Sequence, residues 1–199
     1  MNVTLPSFLF FSIPSLVYWY FSKRKGLPRA EIFLRLGWTR GTSRYYWWAI
    51  GLGLFLAAVG TLVFYSGVIP HDFYKTQGTG AVYYATWHAS ISTFFLALLR
   101  EAIVVALGEE VFFRGFLGGL LMRKFGFVKG NAIQLLLFLL PHLPIVFLLS
   151  ARIWPLAMLS VTSFGWIAGW LRHRSTSIFP GWIMHSLGNA TGALLAMSH

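Results

Sequence analysis

Cysteine is absent from the 199 residues. That excludes disulfides, thiolate metal sites and a cysteine nucleophile. Acidic side chains are almost absent too: Glu31, Asp72, Glu101, Glu109 and Glu110 are the whole set. Charged residues of either sign make up 11% of the chain, where an average soluble domain carries roughly a quarter. Period-two alternation is also missing, which excludes a water-filled β-barrel. What is present is apolar: 57% of residues are hydrophobic, in several runs longer than the roughly 18 residues that cross a bilayer as a helix. The expected fold class is all-α, a polytopic transmembrane helical bundle.

The net charge of +11 does not spread over a soluble face as a nucleic-acid surface would. The basic residues sit between apolar runs, where they set topology and meet lipid headgroups, so the expected partner is the bilayer and not nucleic acid. Residues 1–22 carry no charge, and the basic cluster follows them. This is the pattern of a retained first span, not of a cleavable signal. Residues 23–44 carry seven Lys and Arg, between Tyr18-Trp19-Tyr20 and Tyr45-Tyr46-Trp47-Trp48. Basic loops stay inside and aromatic belts mark the headgroup level, so this loop is expected to be cytoplasmic.

A second span is expected over 45–69, followed by a polar outer loop over 70–80. Residues 81–124 are then apolar apart from Arg100, Glu101 and one motif. At 1.5 Å per residue that stretch is about 65 Å long, too long for one straight crossing. A single crossing places twelve basic residues inside, with Lys75 and Arg152 outside; two crossings split them nine against six. The positive-inside rule selects one crossing, preceded by an extended or interfacial helix. Spans over 128–149, 153–171 and 177–197 complete about six crossings, in one integral membrane domain, 1–199, with a motif-bearing core over about 100–197.

Three polar islands interrupt the apolar helices. The first is Glu109-Glu110-x-x-x-Arg114. Glu110 and Arg114 are four apart on one face in the favourable order, so they form a natural pair. Glu109 points about 100° away and lacks a partner in its own helix. The second is Phe138-x-x-x-His142, with Pro141 and Pro144 flanking the histidine. The third is His185-x-x-x-Asn189, again on one face. Counted from the inner end of each span, the three lie at similar depth, about 12 to 22 Å in. A packing role explains each island alone, and Gly181, Gly188 and Gly192 would permit close helix contact around the third. Coincident depth points instead to one shared polar site.

Two carboxylates, two histidines and an amide suit the activation of water. A poorly solvated glutamate is a stronger base, a histidine can share the water's proton, and a second histidine with an asparagine can stabilise an oxyanion. Arg100-Glu101 reads as an interfacial pair, His71 and Asp72 as outer-loop residues, and His88, His173 and His199 as residues outside the site.

In this order and on successive helices, the three motifs resemble those of the CAAX-processing and bacteriocin-processing intramembrane proteases, the type II CAAX protease or Abi family. The likeness covers about Glu101–Gly192, and Phe113-Arg114-Gly115 resembles the prokaryotic branch. It implies an intramembrane endopeptidase in a prokaryotic cell membrane, acting on a membrane-associated peptide or protein, either prenylated CAAX-type or bacteriocin-like. Glu109 and His142 would activate water, His185 and Asn189 would stabilise the oxyanion, and Glu110, Arg114 and Phe138 would support them. No cofactor is expected. No His-Glu-x-x-His motif occurs, although Glu109, His142 and His185 are a conceivable zinc set. The competing readings are a proton-coupled transporter, which usually carries internal repeats not seen here, and a non-catalytic immunity scaffold that binds a peptide.

Overall fold

The computed structural model describes residues 7–70, 73, 80–144, 147 and 153–197. Outside the described residues lie His71, Asp72, Lys75, Arg152 and His199. Among those described there is no strand, so the all-α expectation holds. The first helix, α1, is Ser7–Arg24 and α3 is Arg44–Tyr65. Between them, where the density of basic residues predicts a loop, lies a short amphipathic helix, α2, Arg29–Leu36. Its Ile32 and Leu36 are buried, and Gly37 ends it in the left-handed conformation at φ 75°. A 3-10 turn, Gly80–Tyr84, precedes the central rod.

That rod, α4, runs without a turn from Ile91 to Phe125. Ser90 opens it with a capping box closed by Thr93. It starts as α-helix, widens to π-helix over Glu101–Ala106, returns to α for Leu107–Glu109, and widens again over Glu110–Gly118. Each i→i+5 turn takes up an extra residue and so rotates everything beyond it by about 100° relative to a regular α-helix. Residues 91–99 belong to the rod itself, so the helix before the first motif is an extension and not a separate surface element. At Gly126, with φ 77° and ψ 171°, the chain breaks and reverses into α5, residues 127–139. The hairpin is tight enough that a Cβ on Gly130 would lie 2.6 Å from the Met122 backbone. A 3-10 turn, Leu140–His142, ends α5 at Pro141. Trp154–Ser175 forms α6 and Phe179–Met197 forms α7.

The bundle is built inside-out relative to a soluble protein. Phe10, Ile13, Leu16, Trp47, Phe55, Leu62, Ile91, Phe95 and Leu99 face outward, while Glu110, Arg114, Asn131, Gln134 and His185 are buried. Helices meet through small residues such as Ala49, Ala97, Ala106, Ala168, Ala190 and Ala193, all buried, as membrane helices do where there is no water to drive them together. Arg44–Tyr65 and the helical stretch Ile91–His142 are each long and apolar enough to cross a membrane. The rod α4 packs against α1, α2, α5, α6 and α7, and α7 packs against α3, α4 and α6. The first and third polar islands lie on these two central helices, and the second lies at the end of α5.

Three basic segments meet at one end of the bundle. Arg172 on α6 donates to the carbonyls of Leu34 and Arg35 at 3.0 Å each, and Arg123 on α4 donates to Arg35 at 3.0 Å. These arginines sit on the negative end of the α2 dipole. Close by, the Ser177 hydroxyl donates to the Thr39 carbonyl at 2.6 Å. Segments 23–44, 123–124 and 172–177 therefore share one side, as a single crossing by α4 requires.

Candidate active site

Among the described residues, Arg114 is the largest fully buried side chain. Its Nη1 lies 3.0 Å from Glu110 Oε1, with both side chains wholly inaccessible, although the alignment falls short of a hydrogen bond. The guanidinium is held 4.1 Å over the Phe138 ring and 5.4 Å from that of Phe164, and Nη2 reaches the Gly165 carbonyl at 3.5 Å. Aromatic faces and a carboxylate together replace the water such a cation would have. The pairing read from the i, i+4 spacing is present, and Phe138 has a clear reason to be aromatic.

His185 reaches the same carboxylate from α7. Its Nδ1 is 3.1 Å from Glu110 Oε1, and its Nε2 is 3.7 Å from Glu109 Oε2. Glu110 Oε1 faces the Arg114 guanidinium as an acceptor, and Nδ1 of His185 donates to the same oxygen. The 3.7 Å gap to Glu109 is an ion-pair distance and too long for a hydrogen bond. Glu109 differs from its neighbour in exposure: its side chain is 17% accessible while that of Glu110 is sealed. Its Oε2 makes no hydrogen bond. Gly181 on α7 lets the helices approach, since a Cβ there would meet Glu110 Oε2 at 2.9 Å. Gly188, by contrast, faces open space.

His142 is placed by the break at Pro141. Its Nδ1 lies 2.8 Å from the Phe138 carbonyl, and its ring packs on the Phe138 ring with centroids 4.7 Å apart. A carbonyl only accepts, so Nδ1 bears the hydrogen and Nε2 is left as a basic acceptor. Phe138 thus touches both Arg114 and His142. Phe164 is its counterpart on α6, 4.6 Å from the His185 ring; sequence reasoning missed it because one phenylalanine among nineteen carries no signal.

Asn189 is in a different environment from its islandmate. Its Nδ2 donates to Glu101 Oε2 at 3.1 Å. Glu101 Oε1 accepts from Tyr84 Oη at 2.7 Å and Arg100 Nη1 at 2.8 Å. Burial and the neighbouring carboxylate push the Tyr84 phenol well above its ordinary range, which keeps it a donor. The Arg100–Glu101 pair read from the sequence is present, and Glu101 is buried and also joins α4 to α7 through Asn189. On a regular helix Glu101 and Glu110, nine residues apart, lie on opposite faces. The π turns re-phase the rod so that both meet α7. Scarcity was the available signal: Glu101 is also a costly carboxylate inside an apolar run.

Among the described residues, no three His, Asp or Glu side chains converge to hold a metal ion. The structure therefore brings Glu109, Glu110, Arg114, Phe138 and His185 into one contact chain. His142 joins it through Phe138, and Asn189 lies one helical turn from His185, tied to Glu101.

A family model described as Type II CAAX prenyl endopeptidase Rce1-like matches residues 90–191, just over half of the chain and the part that holds all three islands. The chain belongs to that family. No curated protein and no solved structure matches it. Membership of the Rce1-like endopeptidases makes this an integral membrane protein of a protease family, and it turns the polar cluster into a candidate catalytic centre. The transporter and scaffold readings have no comparable support. The Rce1-like match begins at the Ser90 cap of α4 and ends within α7, so α1, α2 and α3 lie outside it.

Proposed function

We propose that the protein hydrolyses a peptide bond of a prenylated, membrane-associated CAAX-type substrate, with Glu109 as the base that activates water. The supporting observation is the contrast between adjacent glutamates: the Glu110 side chain is sealed against Arg114 and His185, while that of Glu109 is 17% accessible. Glu109 takes a proton from the attacking water as its oxygen adds to the scissile carbonyl, and His142 Nε2 orients that water. The carbonyl oxygen becomes an oxyanion, held by His185 in its protonated form and by an N–H of Asn189. Glu110 stabilises the imidazolium through Nδ1, as a buried acid does in a hydrolase triad. When the C–N bond breaks, Glu109 returns the proton to the leaving amine.

This mechanism uses no metal, and the clustered basic residues favour a cytoplasmic side for residues 23–44. Purified enzyme cleaving a prenylated CAAX peptide should lose activity by about 10²–10⁴-fold in Glu109→Gln and in His142→Ala. Treatment with a strong divalent-metal chelator should leave the wild-type rate unchanged. Full activity in Glu109→Gln would overturn the reading. Cleavage of an unprenylated membrane peptide in preference to the prenylated one would reassign the substrate to the bacteriocin-like class.

A further inference from the structure

Glu101 and its donors Tyr84 and Arg100 have no role in the chemistry above, yet Glu101 is an acid that the apolar environment makes costly. Glu101 accepts three hydrogen bonds, from Tyr84, Arg100 and Asn189. Its anchors are themselves fixed. Tyr84 is buried among Ala97, Ala193, Ala196 and Met197, which ties the 3-10 turn to α4 and α7. Arg100 lies 3.9 Å over the Tyr83 ring and also donates to Tyr84 Oη at 3.2 Å. The carboxylate is therefore held rigidly before Asn189 is considered.

Resting on the reading that Asn189 donates to the oxyanion, we propose that Glu101 is a positioning residue that sets the orientation of the Asn189 amide. An ionised carboxylate only accepts hydrogen bonds, so it can face only the NH2 end of the asparagine; the flipped amide would set oxygen against oxygen. Nδ2 carries two hydrogens. Glu101 takes one, and the other is held in a fixed direction for the substrate oxygen, one turn from His185. Preorganised donors of this kind contribute most when they need not reorient during the reaction.

Glu101→Gln is the decisive variant because it preserves shape. Arg100 and Tyr84 are donors and will claim the new carbonyl oxygen, which leaves the glutamine NH2 facing Asn189 and turns the asparagine around. In the prenylated-peptide assay, kcat should fall about 10–100-fold with KM within about twofold, a typical cost for disturbing one oxyanion donor. Asn189→Ala should fall by a similar or larger factor, and the double variant should fall no further than Asn189→Ala alone. Tyr84→Phe, which loosens Glu101 without removing it, should lower kcat severalfold at unchanged thermal stability in detergent. Multiplicative effects in the double variant would overturn the positioning role. So would wild-type kcat in Glu101→Gln alongside a crippled Asn189→Ala, or a stability loss in Tyr84→Phe with kcat per folded molecule unchanged. Full activity in Asn189→Ala would instead remove the oxyanion role on which the inference rests, with Glu109→Gln still reporting on the protease reading itself.

Discussion

Glu110 lies between Arg114, 3.0 Å away, and the His185 ring, 3.1 Å away, and all three are buried. Removing one member of such a set strands a charge, whereas removing both charges does not. Arg114→Met should therefore destabilise the protein by about 3–5 kcal/mol, read as a lower thermal midpoint in detergent. The double variant Glu110→Gln with Arg114→Met should recover much of that stability while remaining inactive, because His185 has lost the carboxylate beside its Nδ1. If the single and double variants are equally unstable, the charge argument is wrong and the site is held by packing of the Phe138 and Phe164 rings.

Glycine placement carries the element-scale argument. Gly181 lies where α7 meets Glu110, and a methyl group there would crowd Glu110 Oε2 at 2.9 Å. Gly181→Ala should lower activity about tenfold or more while leaving expression and membrane insertion intact, because a small displacement of a positioned group is costly. Gly188, seven residues on, has open space beside it, so Gly188→Ala is the matched control and should be neutral. At the hairpin, Gly130→Ala would place a Cβ against the Met122 backbone. That contact has no side chain to move aside, so the variant should show reduced stability, checked by its thermal midpoint beside that of Gly188→Ala.

Across the whole molecule, the absence of cysteine makes sidedness easy to measure. Single replacements Lys25→Cys, Lys124→Cys and Arg174→Cys should all label from one face of the membrane, since Arg35, Arg123 and Arg172 meet through the end of α2. Ala89→Cys, just before the start of α4, should label from the opposite face. If Ala89→Cys and Lys124→Cys label from the same side, α4 does not cross once. The same measurement on intact cells tests whether the face bearing Lys25 is cytoplasmic.

Long apolar runs, clustered basic residues and ordered polar motifs are local properties, so they were legible along the chain. They determined the helical membrane class, the hairpin near Lys124, the pairing of Glu110 with Arg114 and the family to which residues 90–191 belong. Helix α2 escaped because its eight residues sit in a charged loop whose stability comes from Arg172 and Arg123 on distant helices. Glu101 escaped because its neighbour Arg100 accounts for it as an interfacial pair, and a regular helix would set it opposite Glu110, whereas two π segments change the phase between them. Which glutamate is sealed, which carboxylates the His185 ring meets, and what orients Asn189 depend on contacts between residues dozens of positions apart. Sequence spacing along one helix cannot specify those contacts. Only the packing of α4 against α7 does.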